Sequence, residues 1–325
     1  MIISRSPYRI SFFGGGSDYP AYFLKHGGCV LSTTINKYCY VSVRWLPPFF
    51  EHKHRIVWSH IENVNKIDEI QNNVARECLR FLDMERGIAI THDGDLPSRS
   101  GMGSSSAFTV GLLNALHHLT GKRIVGPYQL ASEATHVEQD LIKDNVGNQD
   151  QIACAIGGLN RIDFLSNGTT EVNTLQISDE RKKELESHLM MVFTGFPRTA
   201  SEIAGTYDFN RDKELEIMKD CVEEGENILT GHRNITDFGL LLDEAWRTKK
   251  ELSTAISTPY IDFLYDSALK AGAIGGKLLG AGGGGFMLLF CEPSLQEQVK
   301  EALKGLLVVP FEFENEGSKV LYQDD

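Results

Sequence analysis

A chain of 325 residues is too long for one ordinary core and points to two domains. Its 42% apolar and 23% charged residues match soluble globular proteins, and no run of about 18 apolar residues offers a membrane-spanning helix. A net charge of −12 argues against a general nucleic-acid binder, which needs a basic face. It does not argue against a nucleotide, whose phosphates a few local donors can hold.

The N-terminus, MIISRSPYRISFF, lacks a signal-peptide layout and alternates like a strand. The six cysteines are scattered, with no C-x-x-C pair, so neither a zinc site nor a disulfide framework is indicated. Reduced thiols in the cytoplasm fit this usage.

In the first segment, Ser6–Phe13, Ile10 and Phe12 share one strand face, Arg9 and Ser11 the other. Gly14, Gly15 and Gly16 let the chain turn sharply or pass close to a ligand. Asp18 can accept hydrogen bonds from hydroxyls or close an Asx turn, and the residues alone leave both open. Two strands are expected at Cys29–Thr34 and Tyr38–Trp45, and a short third at Arg55–Ser59. The spacing of Ile67, Ile70, Val74, Cys78 and Phe81 predicts a helix over Asn65–Leu82. A strand at Gly87–Thr91 then feeds the stretch around which the chain is organised.

That stretch is Pro97-Ser98-Arg99-Ser100-Gly101-Met102-Gly103-Ser104-Ser105-Ser106-Ala107. Gly101 and Gly103 let a ligand approach backbone N–H groups. Ser104, Ser105 and Ser106 lie where a helix starts, and serine is a favoured N-cap. The unpaired N–H groups and positive dipole end of that helix make an anion site, most simply for phosphate. A serine-capped tight turn is the rival reading. The lysine-bearing phosphate loop is excluded, because Gly276-Lys277 is followed by Leu278.

Phe108, Leu112, Leu116 and Leu119 turn one face of the next helix to a core. Leu130–Ile142 reads as a helix carrying Glu133, His136, Glu138 and Asp140. Asp144–Gln151 is a polar turn running into Ile152–Ile156. By itself Asp150 reads there as a capping residue. A strand follows at Gly158–Phe164. The polar, turn-rich Ser166–Leu185 holds the domain boundary, dividing the chain into 1–178 and 179–325. Beyond it come a strand at Leu189–Thr194 and Arg198 in a Gly/Pro loop. Helices are expected at Asp212–Leu229, Thr236–Ser253 and Tyr260–Ala271. Lys277–Gly285 is a glycine run tied to the strand Phe286–Phe290, which suggests an ordered loop rather than a linker. A helix at Gln296–Leu303 and a strand at Val308–Phe313 follow.

Three segments in order, SPYRISFFGGGSDY, PSRSGMGSSSA and KLLGAGGGG, have GNQDQ between the second and third. The set resembles the GHMP family of small-molecule kinases, named for galactokinase, homoserine kinase, mevalonate kinase and phosphomevalonate kinase. The resemblance covers nearly the whole chain. Within the family, RISFFGGGSDYPAYF, LSTTINKY and TGFPRTASE are most similar to the bacterial heptose 7-phosphate 1-kinase group. Galactokinases carry Glu and His at Gly15 and Gly16, which counts against galactose.

The resemblance implies an α+β fold in two domains. The N-terminal domain would be a mixed sheet, ribosomal S5 domain 2-like. The C-terminal domain would be ferredoxin-like, with the active site in the cleft. It implies an ATP-dependent kinase of an anomeric sugar hydroxyl, using Mg²⁺ and feeding nucleotide-heptose synthesis. Asp150 matches the catalytic Asp, and Arg9 the basic residue beside it. Pro97, Ser100, Gly101, Met102, Gly103, Ser104, Ser105 and Ser106 would surround ATP.

Ser105 and Glu138 match metal-binding positions. The Glu138–Asp150 spacing is one residue longer than in mevalonate kinase, so Asp140 stays open as the alternative. Gly15, Gly16, Asp18, Gly147, Gly282 and Gly283 would meet the sugar. A distal phosphate would need a cation, with Arg198 first and Lys37 second. The partner is then a small-molecule sugar or sugar phosphate, with neither nucleic acid nor membrane, and the oligomeric state stays open. Another sugar such as fucose, and a sugar- and ATP-binding regulator without turnover, are the rivals.

Overall fold

A computed structural model describes residues 1–121, 125–195, 200–209, 211–231 and 233–324. The first half runs β1 (Ile2–Phe13), α1 (Pro20–His26), β2 (Gly28–Trp45), β3 (His54–Val57), β4 (Ile61–Val64), α2 (Asn73–Phe81), β5 (Ile88–Gly94), α3 (Ser104–Thr120), α4 (Pro127–His136), α5 (Gln149–Ile156), β6 (Leu159–Phe164) and β7 (Thr170–Thr174). The second half runs α6 (Asp179–His188), β8 (Leu189–Phe193), α7 (Ala200–Ala204), α8 (Asp212–Thr230), α9 (Thr236–Lys250), α10 (Pro259–Lys270), β9 (Ala273–Leu278), β10 (Phe286–Cys291), α11 (Gln296–Ala302), β11 (Leu307–Val308), β12 (Phe313–Glu314) and β13 (Lys319–Gln323).

The larger, mixed sheet is built on the antiparallel pair β1 and β2. Along the other edge of β2 lie β6, β12 and β5 in turn. The expected break between two strands at Asn36 and Lys37 is absent. Instead the register jumps from Pro7–Tyr38 to Tyr8–Ile35, a bulge that absorbs both residues within one long strand. β3 runs parallel to β5, β4 closes that side, and β7 pairs with β6. β13 pairs with β1, so the end of the chain returns to its first strand.

The smaller sheet is antiparallel, in the order β11-β8-β10-β9. With its helices this is the β-α-β-β-α-β arrangement expected of a ferredoxin-like unit. The expected strand Val308–Phe313 is split between the two sheets around Pro310, which cannot donate to a ladder.

α3 is buried all round, from Ser106 to His117, as befits a helix covered on every side. It lies close on the larger sheet, where Ser4 Oγ donates to Gly111 O at 2.7 Å. This packing fixes where its N-terminus points. The two sheets share apolar packing. Phe12 and Phe13 of β1 meet Phe238 of α9 edge-on at 5.3 and 5.0 Å.

Other boundaries differ from the periodicity for local reasons. Asn72 caps α2 by accepting from Ala75 N at 2.9 Å, so residues 65–72 hold only a short 3₁₀ turn. Pro127 starts α4, and the segment expected to continue it is a wider π-type turn, Val137–Leu141. α6 fills part of the turn-rich stretch. Ser178 caps it, and its charged residues leave little apolar period to detect.

Candidate active site

The chain leaves β5 and reaches α3 through the Gly/Ser loop. Gly103, left-handed at φ 71°, stands at the cap position of α3, and no side chain caps it. The serines expected to cap are otherwise placed. Ser104 Oγ accepts from Arg99 N at 3.2 Å, Ser105 is exposed, and Ser106 is buried. The first-turn N–H groups therefore stay available to an anion.

The second glycine run braces this loop. A side chain at Gly101 would stand 2.4 Å from Leu279 O, so only glycine allows the two loops to touch. Phe286 N donates to Ser100 O at 3.2 Å, and Arg9 N to Met102 O at 3.1 Å. Met102 and Ser100 are buried behind the loop. Arg99 holds a left-handed φ of 59°, a strained conformation for a residue with a side chain.

β1 and α5 bring together the central pair. Arg9 Nε donates to Asp150 Oδ1 at 2.6 Å and Nη2 to Oδ2 at 2.8 Å, while Nη1 donates to Gly101 O at 2.7 Å. Asp150 therefore lies in the first turn of a helix, not in the polar turn expected before Ile152. Burial works against the Arg9 guanidinium, but Asp150 more than offsets it and the net shift is upward. Asp150 keeps 25% of its side chain exposed, facing the cleft.

Glu138 is buried beside the first turn of α3. It accepts from Ser106 Oγ at 2.9 Å, from Thr109 Oγ1 at 2.7 Å and from Gln151 Nε2. Burial pushes its carboxyl up to about 7 against those three donors. The π-type turn that carries Glu138 closes from Ile142 N to Val137 O. That turn is one residue wider than an α turn. Asp140 faces elsewhere, paired with His136 at 2.7 Å and largely exposed.

Asp18 is buried, accepting from Gly16 N at 2.9 Å and Gln149 Nε2 at 3.1 Å. Burial raises its carboxyl. Gly15, Gly16 and Gly147 lie around it, and all line one cleft of about 940 Å³ with Arg9, Asp150 and the Gly/Ser loop. Trp58, His92 and Phe108 line the same cleft, the last two rings 4.7 Å apart.

Some expected residues lie elsewhere. Gly282 and Gly283 face Ile256 and Ile203, while Gly280 and Ala281 line the cleft in their place. Lys37 and Pro97 line a second cavity, of about 580 Å³. Arg198 lies outside the described residues.

Among the cleft residues to which the sequence analysis gave no role are Ser11, Gln149, Lys249 and Lys277. The strand period that put Ser11 on the face of Arg9 was signal enough for the first. Lys277 directly precedes the second glycine run. Gln149 stands beside Asp150 within GNQDQ, whereas Lys249 carried no signal.

The family model for the GHMP kinases N terminal domain matches residues 67–158, and that for GHMP kinases C terminal matches 220–308. A D-glycero-alpha-D-manno-heptose 7-phosphate kinase from Campylobacter jejuni is 30% identical, with 98% of each chain covered. The chain belongs to the GHMP kinase family.

This GHMP kinase is also similar to a D-glycero-D-manno-heptose 1-phosphate kinase from Bacteroides thetaiotaomicron. The identity is 26% and the TM-score 0.82, over 100% of both chains. The mevalonate kinase of Methanococcus jannaschii shares the fold, with a TM-score of 0.72 over 96% of this chain and 98% of its own, at 19% identity. As a GHMP kinase the protein is a phosphotransferase that takes ATP as a substrate, and the resemblance read from its three motifs is borne out. Among the described residues no helix is long and apolar enough to cross a membrane.

Proposed function

We propose that this kinase transfers the γ-phosphoryl group of ATP to the anomeric hydroxyl of D-glycero-D-manno-heptose 7-phosphate, giving the 1,7-bisphosphate for nucleotide-heptose synthesis. The observation that carries the reading is the Arg9–Asp150 fork, opening into the cleft beside the Gly/Ser loop. The Campylobacter relative named for this sugar phosphate, matched end to end, supports the substrate.

Phosphoryl transfer asks mainly for positioning and charge stabilisation. The loop Pro97–Ser106 and the α3 N-terminus take the ATP phosphates, and Trp58, His92 and Phe108 offer flat surfaces to the base. Asp18, Gly15, Gly16 and Gly147 seat the sugar, with Gly280 and Ala281 lining the cleft beside it. Asp150 accepts the proton of the attacking hydroxyl. An anomeric hydroxyl is more acidic than an ordinary alcohol, so a carboxylate is an adequate base. Arg9 holds that carboxylate in one orientation and sets positive charge near the transferred group.

A Mg²⁺ site would draw on the carboxylate and hydroxyls beside the first turn of α3. Among the described residues no three His, Cys, Asp or Glu converge. Mg²⁺ commonly takes one or two carboxylates and completes its shell with phosphates and water. Glu138 and the exposed hydroxyl of Ser105 would hold it, and when bound it would offset charge on the phosphates. We place the enzyme in the cytoplasm, where ATP is available and its buried free cysteines stay reduced.

A second sugar reading has a specific basis. An L-fucokinase/L-fucose-1-P guanylyltransferase of Bacteroides fragilis is 23% identical over 93% of this chain, which spans 36% of that protein. The deciding experiment measures ATP consumption with Mg²⁺ on manno-heptose 7-phosphate, fucose, galactose and mannose. Turnover of the heptose phosphate alone is expected. Turnover of fucose alone overturns the substrate, and ATP binding without turnover of any sugar overturns the kinase reading in favour of a regulator.

A further inference from the structure

We infer that Lys249 and Lys277 seat the phosphate group that the sugar substrate itself carries, an inference that rests on the phosphosugar reading above. Lys249 comes from the last turn of α9 and Lys277 from β9. Their side chains are 3% and 2% exposed, and both line the catalytic cleft.

Each ammonium donates to one backbone carbonyl, Lys249 Nζ to Gly280 O and Lys277 Nζ to Phe12 O at 2.7 Å. An ammonium has three N–H donors, so both retain capacity. Among the described residues neither has a carboxylate within 4 Å. The nearby carboxylates are already engaged, Asp150 by Arg9 and Asp18 by Gly16 and Gln149. The cleft holds three buried cations, Arg9, Lys249 and Lys277, against the two carboxylates of Asp18 and Asp150, a surplus of positive charge that is costly unless a ligand brings an anion. Burial lowers Lys249 to about 8 and holds Lys277 well below its usual value, the latter also through repulsion by Lys249 and Arg9. A dianion between them answers both the open donors and the charge.

Lys249 reaches Gly280, which packs on Gly101 of the Gly/Ser loop, and Lys277 carries the seat away from the nucleotide. ATP phosphates have the α3 N-terminus and Arg99. Lys277 is anchored on Phe12, just ahead of the glycine turn that leads to Asp18, at the sugar end of the cleft. Ser11 Oγ and Gln149 Oε1 are buried there without partners, 5% and 8% exposed as residues. Both residues line the cleft, with Ser11 Oγ and Gln149 Nε2 each 3.6 Å from the Cβ position of Gly15, which places Ser11 Oγ and the Gln149 amide beside the sugar.

The test compares the wild type with Lys249→Gln, whose amide can still donate to Gly280 O, and Lys249→Arg, which keeps the charge. Substrates are heptose 7-phosphate and free heptose, with ATP saturating. Loss of one partner of a buried charge pair predicts a rise in KM for the phosphosugar of about 30-fold or more in Lys249→Gln, with KM for ATP in place. The preference for phosphosugar over free heptose disappears with it, and Lys249→Arg recovers part of both.

Wild-type turnover of the phosphosugar that Lys249→Gln leaves untouched overturns this inference alone, as does a rise confined to KM for ATP. Absence of wild-type turnover on any sugar phosphate overturns the phosphosugar reading and this inference together. If Lys249→Gln does not fold, the wild type decides. Inorganic phosphate is expected to compete with the sugar and not with ATP, and competition against ATP alone overturns the assignment.

Discussion

The carboxylate of Asp18 occupies the space in which a side chain at Gly147 would stand: a Cβ there would lie 1.9 Å from Asp18 Oδ2. The two loops are thus fitted to each other, with Asn148 N also donating to Asp18 O at 3.0 Å. Gly147→Ala must displace the carboxylate from its place under Gly16 and Gln149. Misplacing a positioning group by about 1 Å can cost about 100-fold. The expected result is a large rise in the KM for sugar with the KM for ATP little changed, read by steady-state kinetics with each substrate varied in turn.

Asp150→Asn keeps the shape and removes the base, along with one acceptor for Arg9. General-base catalysis is worth roughly 10²- to 10⁴-fold, so kcat is expected to fall by at least about 10². Near-normal kcat would falsify the base assignment.

Neighbouring serines separate a structural hydroxyl from a ligand-facing one. Ser106 donates to buried Glu138, and hydrogen bonds to charged groups contribute about 1.5–3 kcal/mol, so Ser106→Ala is expected to lower unfolding stability by about that much. Ser105 is exposed to the cleft, and Ser105→Ala is expected to leave stability nearly unchanged while raising the Mg²⁺ concentration needed for half-maximal rate. Denaturant titration and Mg²⁺ titration of both variants check this, and removing Mg²⁺ with a chelator is expected to abolish turnover.

The buried ammonium of Lys249 leaves a mark on stability. Its pKa falls from 10.5 to about 8 on folding, faced by Lys277, Arg9, Asp18 and Asp150. Between those values the unfolded chain binds more protons, so stability rises with pH across that window. Below pH 8 the charged lysine costs about 3 kcal/mol, taking 1.36 kcal/mol per pKa unit. Lys249→Met is therefore expected to exceed the wild type most at pH 7, with the gap closing toward pH 10. A gap independent of pH in urea titrations would exclude the effect.

The loop, the strand of Arg9 and the second glycine run were legible because their chemistry is local. Glycines that allow close backbone approach and a serine-rich helix start are written in adjacent residues. Asp150 was legible only through the resemblance, since by composition it passed for a capping residue. Glu138 sat in a segment whose apolar spacing continues past His136, while the backbone widens into a π-type turn that spacing cannot register. Lys249 ends a charged helix like any surface lysine. It becomes a cleft residue only when β9 and the second glycine run pack against α9, a long-range event with no trace in the local pattern. Strands β9, β12 and β13 were missed or misjudged for a similar reason, being short or glycine-rich and defined by the partners they find.

The return of β12 and β13 to the first sheet also sets an order of assembly. β1 is made long before β13, and the edge that β13 covers is unpaired until residues 319–323 have left the ribosome. Ser318 sits at this seam, with Ser6 Oγ and Asn114 Nδ2 both donating to its hydroxyl and its own N–H reaching Cys154 O at 2.9 Å. Residues 1–178 alone would present that bare strand edge to any neighbour, an invitation to self-association. The phosphate loop therefore reaches its final setting only after β13 has been made and closes the sheet on which α3 rests.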